Sequence, residues 1–425
     1  MMKETKWEFQ LSARVCQPII VLFYRRHMAG TQARGVSVGS SNGGHLINCL
    51  ASDREALMDF KSGFRDHGGN VLSSWRGSNC CEWHGIECDN NTGAVITIDL
   101  HNPYLDPHQK SRYGYWNLSG EIRPSLMKLN SSLRHLDLSF NTFNGIPIPQ
   151  FVGSLENLQY LNLSNAGFGG LIPPHLGNLS RLQVLDLKAA EILYDELVVF
   201  QSFELHVDNF QWITDLISLE HLAMNGVNLS LVKDWVGALN QLPSIVEFHL
   251  SSCNLSAYTL SPATLNFTSL AVMDLSHNKF HSEIPDWLPN ISSLQHIDMS
   301  KSSLYGRIPL GIGQMPNLLS LNLDGNTNLT ASCSQLFRKG WEKVKILKLK
   351  ENKLYGELPS TLGNMTSLML LRLDYNAIEG SIRSSVGELC NLIEFSASRN
   401  NMTGSLPKIL QEAKSCPSRN PLSTM

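Results

Sequence analysis

The sequence has almost no excess of charge of either sign: 34 Lys plus Arg stand against 37 Asp plus Glu, a formal charge of −3 over 425 residues. That excludes electrostatic capture of nucleic acid or an anionic membrane as a main driving force. Charged residues make up only 17%, below the roughly 25% usual for soluble domains. Uncharged polar groups, and sugar if it is attached, must keep the surface wet. Long apolar runs are also lacking, and none reaches the roughly 18 residues that would cross a bilayer. The stretch Val15–Tyr24 is about the length of a signal-peptide core, but it is closed by Arg25 and Arg26, which is poor signal grammar. There is no phosphate-cradling glycine loop, no kinase signature and no ligand-pair spacing among the histidines. No cofactor, metal site or catalytic centre is expected.

Cysteine is present but unevenly placed. Of nine, Cys49, Cys80, Cys81 and Cys88 cluster, while Cys16, Cys253, Cys333, Cys390 and Cys416 are scattered. Zinc sites favour paired Cys-x(2–4)-Cys spacing, and adjacent residues do not easily ligate one tetrahedral ion. Disulfides are therefore the better reading of the cluster. Chain order assigns them as Cys49–Cys80 and Cys81–Cys88. Cys253 and Cys390 read as buried frame residues, and Cys333 as unpaired.

What dominates the chain is a repeat. The frame Leu133-Arg-His-Leu136-Asp-Leu138-Ser-Phe-Asn141 returns with its first apolar position at Leu158, Leu182, Leu219, Ile245, Leu270, Leu294, Leu318, Val344, Leu368 and Leu392. The step is 24 to 26 residues except for one of 37. A degenerate copy at Val95–Leu100 precedes these. Alternation at Leu136, Asp137 and Leu138 marks a short strand with apolar groups inward. The following Asn (Asn141, Asn278, Asn326, Asn352, Asn376, Asn400) is placed to bond the backbone of neighbouring turns, each bond contributing about 1 kcal/mol. Stacked copies predict one parallel sheet lining a concave face. A second motif, Gly-x-(Ile/Leu)-Pro, recurs at Gly170, Gly306, Gly356 and Gly404 and predicts a turn across the convex side.

The expected fold is thus an α/β solenoid, a right-handed superhelix of leucine-rich repeats. Its Gly-x-(Ile/Leu)-Pro variant resembles the plant-specific class of that repeat from roughly Val95 to Pro407. About twelve repeats occupy 93–410, with a loop insertion at 191–217 and a tail at 411–425 outside the frame. Residues 1–48 read as a targeting or unfolded segment. Residues 49–92 form an N-terminal cap, because a solenoid end exposes apolar surface that something must cover. The cap contains an amphipathic helix around Asp53-Arg-Glu-Ala-Leu57, for which Ser52 and Glu55 have capping-box spacing. Trp75 and Trp83 follow as apolar plugs.

The cap Cys49…Asp53-Arg-Glu-Ala-Leu57…Ser73-Ser-Trp75…Cys80-Cys-Glu-Trp83-His-Gly-Ile-Glu-Cys88 closely resembles that of plant leucine-rich-repeat receptor-like proteins, of the class related to tomato Cf and xylanase-elicitor receptors. Val207–Trp212 and Asn225–Ser230 look like early-repeat phrases of the same group. The resemblance implies an extracellular recognition domain that lacks a kinase and signals through a partner receptor kinase in defence or development. A secreted inhibitor of a cell-wall hydrolase, similar to polygalacturonase-inhibiting proteins, is the alternative, as is a truncated fragment with no function of its own.

Acceptor motifs for N-glycosylation at Asn90, Asn117, Asn130, Asn178, Asn228, Asn254, Asn266, Asn290, Asn328, Asn364 and Asn401, with the cap disulfides, point to the secretory pathway. The destination is then the outer face of the cell membrane or, for a truncated product, the apoplast. Asn162 also lies in an acceptor motif but in mid-strand, and is expected to stay unmodified. Outward strand positions form columns that begin acidic and turn basic. From them Tyr160, His221, Glu247, His249, Asp274, His296, Asp298, Lys345, Lys348, Lys350, Arg372 and Tyr375 are the candidate contacts for a protein, peptide or oligosaccharide ligand. Asp274 and Asp298 fall one repeat apart, about 5 Å between backbones. They belong to a recurring Leu-Asp-Leu-Ser phrase with no cleft, so catalysis is not expected.

Overall fold

A computed structural model describes residues 48–104, 115–189, 204–256 and 265–403. Each repeat contributes a three-residue strand at the place the frame predicts, as in His135–Asp137, Tyr160–Asn162 and Val184–Asp186. The middle residue points inward, and Leu136, Leu161, Leu185, Leu321 and Leu371 are fully buried. Among the described residues these strands form one thirteen-stranded sheet whose order follows the chain. It is parallel throughout except at its start, where Ile86–Cys88 of the cap runs antiparallel to Val95–Asp99.

The asparagine ladder holds successive turns together. Asn278 Nδ2 donates to Leu250 O at 2.8 Å and Leu275 O at 2.9 Å, while its Oδ1 accepts from Cys253 N and Leu255 N. Asn141, Asn352, Asn376 and Asn400 donate in the same way to a carbonyl one turn back and to one of their own turn. Not every repeat carries the amide. In two of them Cys253 and Ser302 take its place, and Cys253 Sγ and Ser302 Oγ each donate to a carbonyl of the preceding turn, Met224 O at 3.1 Å and Leu275 O at 2.9 Å. The buried Cys253 thiol is thus a weak substitute for one arm of the ladder, and burial pushes its pKa up.

The Gly-x-(Ile/Leu)-Pro motif is not a simple turn. Gly306 and Gly356 lie inside strands, Tyr305–Arg307 and Lys353–Glu357, of a second, five-stranded parallel sheet. Their φ values of +79° and +77° belong to the left-handed region that favours glycine. The proline that follows, Pro309 or Pro359, is the N-cap of a short 3-10 helix, Leu310–Gln314 or Ser360–Asn364. Alternation in those strands is too short to distinguish from a turn in sequence.

The expected insertion at 191–217 is narrower on its C-terminal side. Leu205–His206 pairs in parallel with Gly170–Leu171, and Gln211–Asp215 is a 3-10 helix with Trp212 and Ile213 buried. Residues 204–217 therefore belong to the repeat, and 191–203 lie outside the described residues. So do Val15–Tyr24, Gly404, Cys16, Cys416 and the tail 411–425.

The cap closes the N-terminal end of the core. Both disulfides form as chain order assigned them, Cys49–Cys80 and Cys81–Cys88. Trp75 and Trp83 stack at 5.3 Å, both buried, each indole N–H donating to a carbonyl, His84 O or Arg76 O. The capping box is not formed: helix Ala51–Ser62 starts at Leu50, with no side-chain cap. Ser52 lies within the first turn and donates to Asp53. Asp53 instead accepts Val95 N at 2.9 Å, tying the helix to the first strand of the repeats. Cys390 is not a bare frame residue but is disulfide-bonded.

Candidate recognition surface

Strand register decides which side chains share the concave face. Asp137, Asn162, Asp186, Ala223, His249, Asp274, Asp298, Asn322, Lys348, Arg372 and Ser396 are successive Cα partners, one unbroken column. A parallel column runs two residues earlier through His135, Tyr160, Val184, His221, Glu247, Val272 and His296. Three neighbourhoods result.

At the N-terminal end His135 stacks on Tyr160 with centroids 4.1 Å apart. Asn162 donates to Asp137 at 3.0 Å and to the Tyr160 hydroxyl at 3.2 Å, and accepts from the Ser164 amide and hydroxyl. Burial and the neighbouring Asp137 push the Tyr160 phenol up, so it stays neutral. Asn162 is only 9% exposed, and a glycan on its Nδ2 would take the place of one of the two donated hydrogens, with no room for the sugar in the ladder of contacts. We expect tryptic glycopeptide mapping of the secreted chain to find Asn162 unmodified, while Asn178, Asn266, Asn290 and Asn364, all exposed, carry glycan. Full occupancy at Asn162 would refute this geometry.

In the middle, His221, Glu247, His249 and Asp274 come together from three strands. His221 Nδ1 lies 2.5 Å from Glu247 Oε1, His249 Nε2 lies 3.7 Å from Glu247 Oε2, and His249 Nδ1 lies 3.8 Å from Asp274 Oδ2. Burial opposes charge on Glu247, yet the hydrogen bond from His221 and the nearby His249 ring hold its carboxyl well below the usual range. Burial likewise opposes charge on His249, but Asp274 and Glu247 together raise its pKa. Burial lowers that of His296. Asp298 is tied up locally, accepting from Ser300 and from Asn322 Nδ2 at 2.8 Å.

The C-terminal patch is less uniformly basic than its lysines suggest. Arg372 Nε pairs with Glu394 at 2.7 Å and Lys350 Nζ with Glu351 at 3.1 Å. Lys350 and Arg399 both lie over the ring of the exposed Tyr375, 5.5 and 5.9 Å from its centroid. Lys345 is exposed and Lys348 half-buried. Each of these residues is legible singly in the sequence. The convergence of His221 with Glu247 and His249 is not, since those histidines lie 28 positions apart. The signal was there in the register: Glu247 is one repeat on from His221, and His249 is two residues beyond it on the same face.

Family models match at both levels of this architecture. Residues 50–89 match the leucine-rich-repeat N-terminal domain, and residues 131–192 and 269–291 match leucine-rich repeats. Receptor-like protein EIX1 of Solanum lycopersicum is 36% identical over 296 residues, 68% of this chain and 27% of that protein. Receptor-like protein EIX2 of the same plant is 32% identical over 344 residues, 73% of this chain and 32% of that protein. The chain belongs to the plant leucine-rich-repeat receptor-like proteins.

This receptor-like protein spans about a third or less of the length of those two relatives and shares its fold with solved plant ectodomains. The plant peptide hormone receptor RGFR1, solved in complex with RGF2, superposes with a TM-score of 0.54 at 26% identity, covering 69% of this chain and 47% of that one. Among the described residues no helix is long and apolar enough to cross a membrane.

Proposed function

We propose that this receptor-like protein is a non-enzymatic recognition domain that binds a peptide or protein ligand on its concave face. A partner receptor kinase then carries the signal in defence or development. The carrying observation is the register-locked wall itself: polar and aromatic side chains from successive strands stand in fixed columns on a rigid sheet. Such a surface offers many preorganised contacts, and interface energy concentrates in a few aromatic and arginine anchors. Tyr375, flanked by Lys350 and Arg399, is the best such anchor, and the carboxylates beside Arg372 and Lys350 favour a ligand of mixed rather than purely acidic charge. A similar ectodomain solved with a peptide hormone ligand supports the reading, as do glycan acceptors on the flanks and cap disulfides that suit the extracellular face of the membrane.

The test is selection of peptides from a random displayed library on the secreted, glycosylated chain. Selected peptides should lose at least about 10-fold in affinity on Tyr375→Ala or Lys348→Glu, a change of about 1.4 kcal/mol. Tyr355→Ala, exposed on the second sheet, should change nothing. Peptides sensitive to Tyr355 and indifferent to Tyr375 and Lys348 would overturn the assignment of the face.

A further inference from the structure

His221, Glu247 and His249 present two imidazoles and a carboxylate whose ligand atoms all lie within 4.8 Å of one another. A tetrahedral zinc ion with bonds of about 2.0–2.1 Å sets its ligand atoms roughly 3.3 Å apart. The observed 2.5 Å from His221 Nδ1 to Glu247 Oε1 and 3.7 Å from His249 Nε2 to Glu247 Oε2 bracket that value. The second distance is too long for a hydrogen bond and suits two ligands around an ion. The two distances run to different oxygens of Glu247, so a shared ion requires the carboxylate to turn until one oxygen faces both rings or to bind through both.

The backbone holds the cluster in place. His221 and Glu247 are Cα partners on adjacent strands, and Glu247 and His249 share a face two residues apart. On one side His249 is the Cα partner of Ala223, fully buried, and on the other of Asp274; its ring lies 5.6 Å from that of His221. An outer shell is also present. Asp274 Oδ2 faces His249 Nδ1 at 3.8 Å, and Asp274 is itself fixed by the Ser276 amide at 3.0 Å and hydroxyl at 2.7 Å. A carboxylate that closes a hydrogen bond on the far ring nitrogen fixes the tautomer that turns the other nitrogen toward a metal; from 3.8 Å Asp274 must approach by about 1 Å to do so. Lys188, the cation that bears on His249, is held by Asp186 at 3.4 Å.

We propose that His221, Glu247 and His249 form a divalent transition-metal site on the concave face, with Asp274 orienting His249. Two imidazoles and one carboxylate suit zinc and its first-row neighbours rather than calcium or magnesium, which take oxygen ligands. Three protein ligands leave the fourth tetrahedral position open toward solvent. The site stands on its own geometry and does not depend on the identity of the peptide ligand. The same contacts without an ion would be a purely structural histidine–carboxylate clamp, and the experiment separates the two.

The secreted full chain, freed of metal with a chelator, is titrated with zinc by calorimetry and, in parallel, with cobalt(II) by visible absorption. The expected result is one zinc ion per chain at micromolar affinity or tighter, and the intense visible bands of four-coordinate cobalt. His249→Ala and Glu247→Gln should each weaken zinc at least about 10-fold, and Asp274→Asn about 10-fold through the outer shell. His101→Ala, in the separate Asp99–His101–Asp137 cluster, should leave the affinity unchanged. Absence of saturable binding by the wild-type chain overturns the site, as does binding that survives the His221→Ala/His249→Ala double variant. If a variant fails to fold by circular dichroism, the wild-type cobalt spectrum decides: a weak, six-coordinate spectrum also overturns it.

Discussion

Asn326→Ala lowers the stability of the repeat array by about 3 kcal/mol, the largest effect expected of any single polar substitution on the ladder. Asn326 is completely buried. Its Nδ2 donates to Met299 O at 2.9 Å and Leu323 O at 3.0 Å, and its Oδ1 accepts from Ser302 N and Leu304 N, both at 3.0 Å. Alanine would strand two donors and two acceptors, each costing about 1–3 kcal/mol if left dry, with partial relief from water entry. Ser302→Ala, which removes one hydroxyl donating to Leu275 O and Ser300 O, should cost only about 1 kcal/mol. Urea midpoints of the three chains test the order. An Asn326→Ala midpoint equal to that of Ser302→Ala would show that the amide ladder does not carry the load assigned to it.

Removing the Cys49–Cys80 bridge by a double alanine substitution is the other large effect. The bridge closes 31 residues of sequence and the Cys81–Cys88 bridge only 7. Chain entropy alone assigns about 3.7 kcal/mol to the first and about 2.4 kcal/mol to the second. The first also anchors the helix that covers the N-terminal end of the core, with Ala56, Leu57 and Phe60 fully buried. Its loss should therefore expose the first repeats as well as lengthen the unfolded loop. Hydrogen exchange through Val95–Leu138 should accelerate in the Cys49/Cys80 variant and change little in the Cys81/Cys88 variant. Equal acceleration in both would mean that the cap is held mainly by packing of Trp75 and Trp83.

The repeat was legible because three of its signals are covalent facts of spacing: the period, the inward leucines and the asparagine that follows many of the strands. Strand positions follow from these directly, and once register is known the column from Asp137 to Ser396 can be written down. Other features were hidden for physical reasons. Ser52 and Glu55 have capping-box spacing, but the carboxylate that ties this helix down is Asp53, whose partner, the Val95 amide, is 42 positions away. The second sheet rests on left-handed glycines whose role a local pattern reads equally well as a turn. The pairing of Arg372 with Glu394 makes a patch that looks basic in sequence closer to neutral in space. The disulfide at Cys390 is not implied by that residue's place in the frame, where a buried apolar group would serve equally well.

Because partners in the column differ by whole repeats, the concave wall behaves like a ruler with graduations of about 4.8 Å, the strand separation. Excising one complete copy of the unit would shorten the wall by a single graduation and leave every other mark aligned. Removing any smaller number of residues would throw the marks on one side of the cut out of line with those on the other. Lineages of such molecules can therefore change reach in fixed increments without redesigning the surface, and the distance between the His249 cluster and Tyr375 is set by counting copies rather than by tuning contacts.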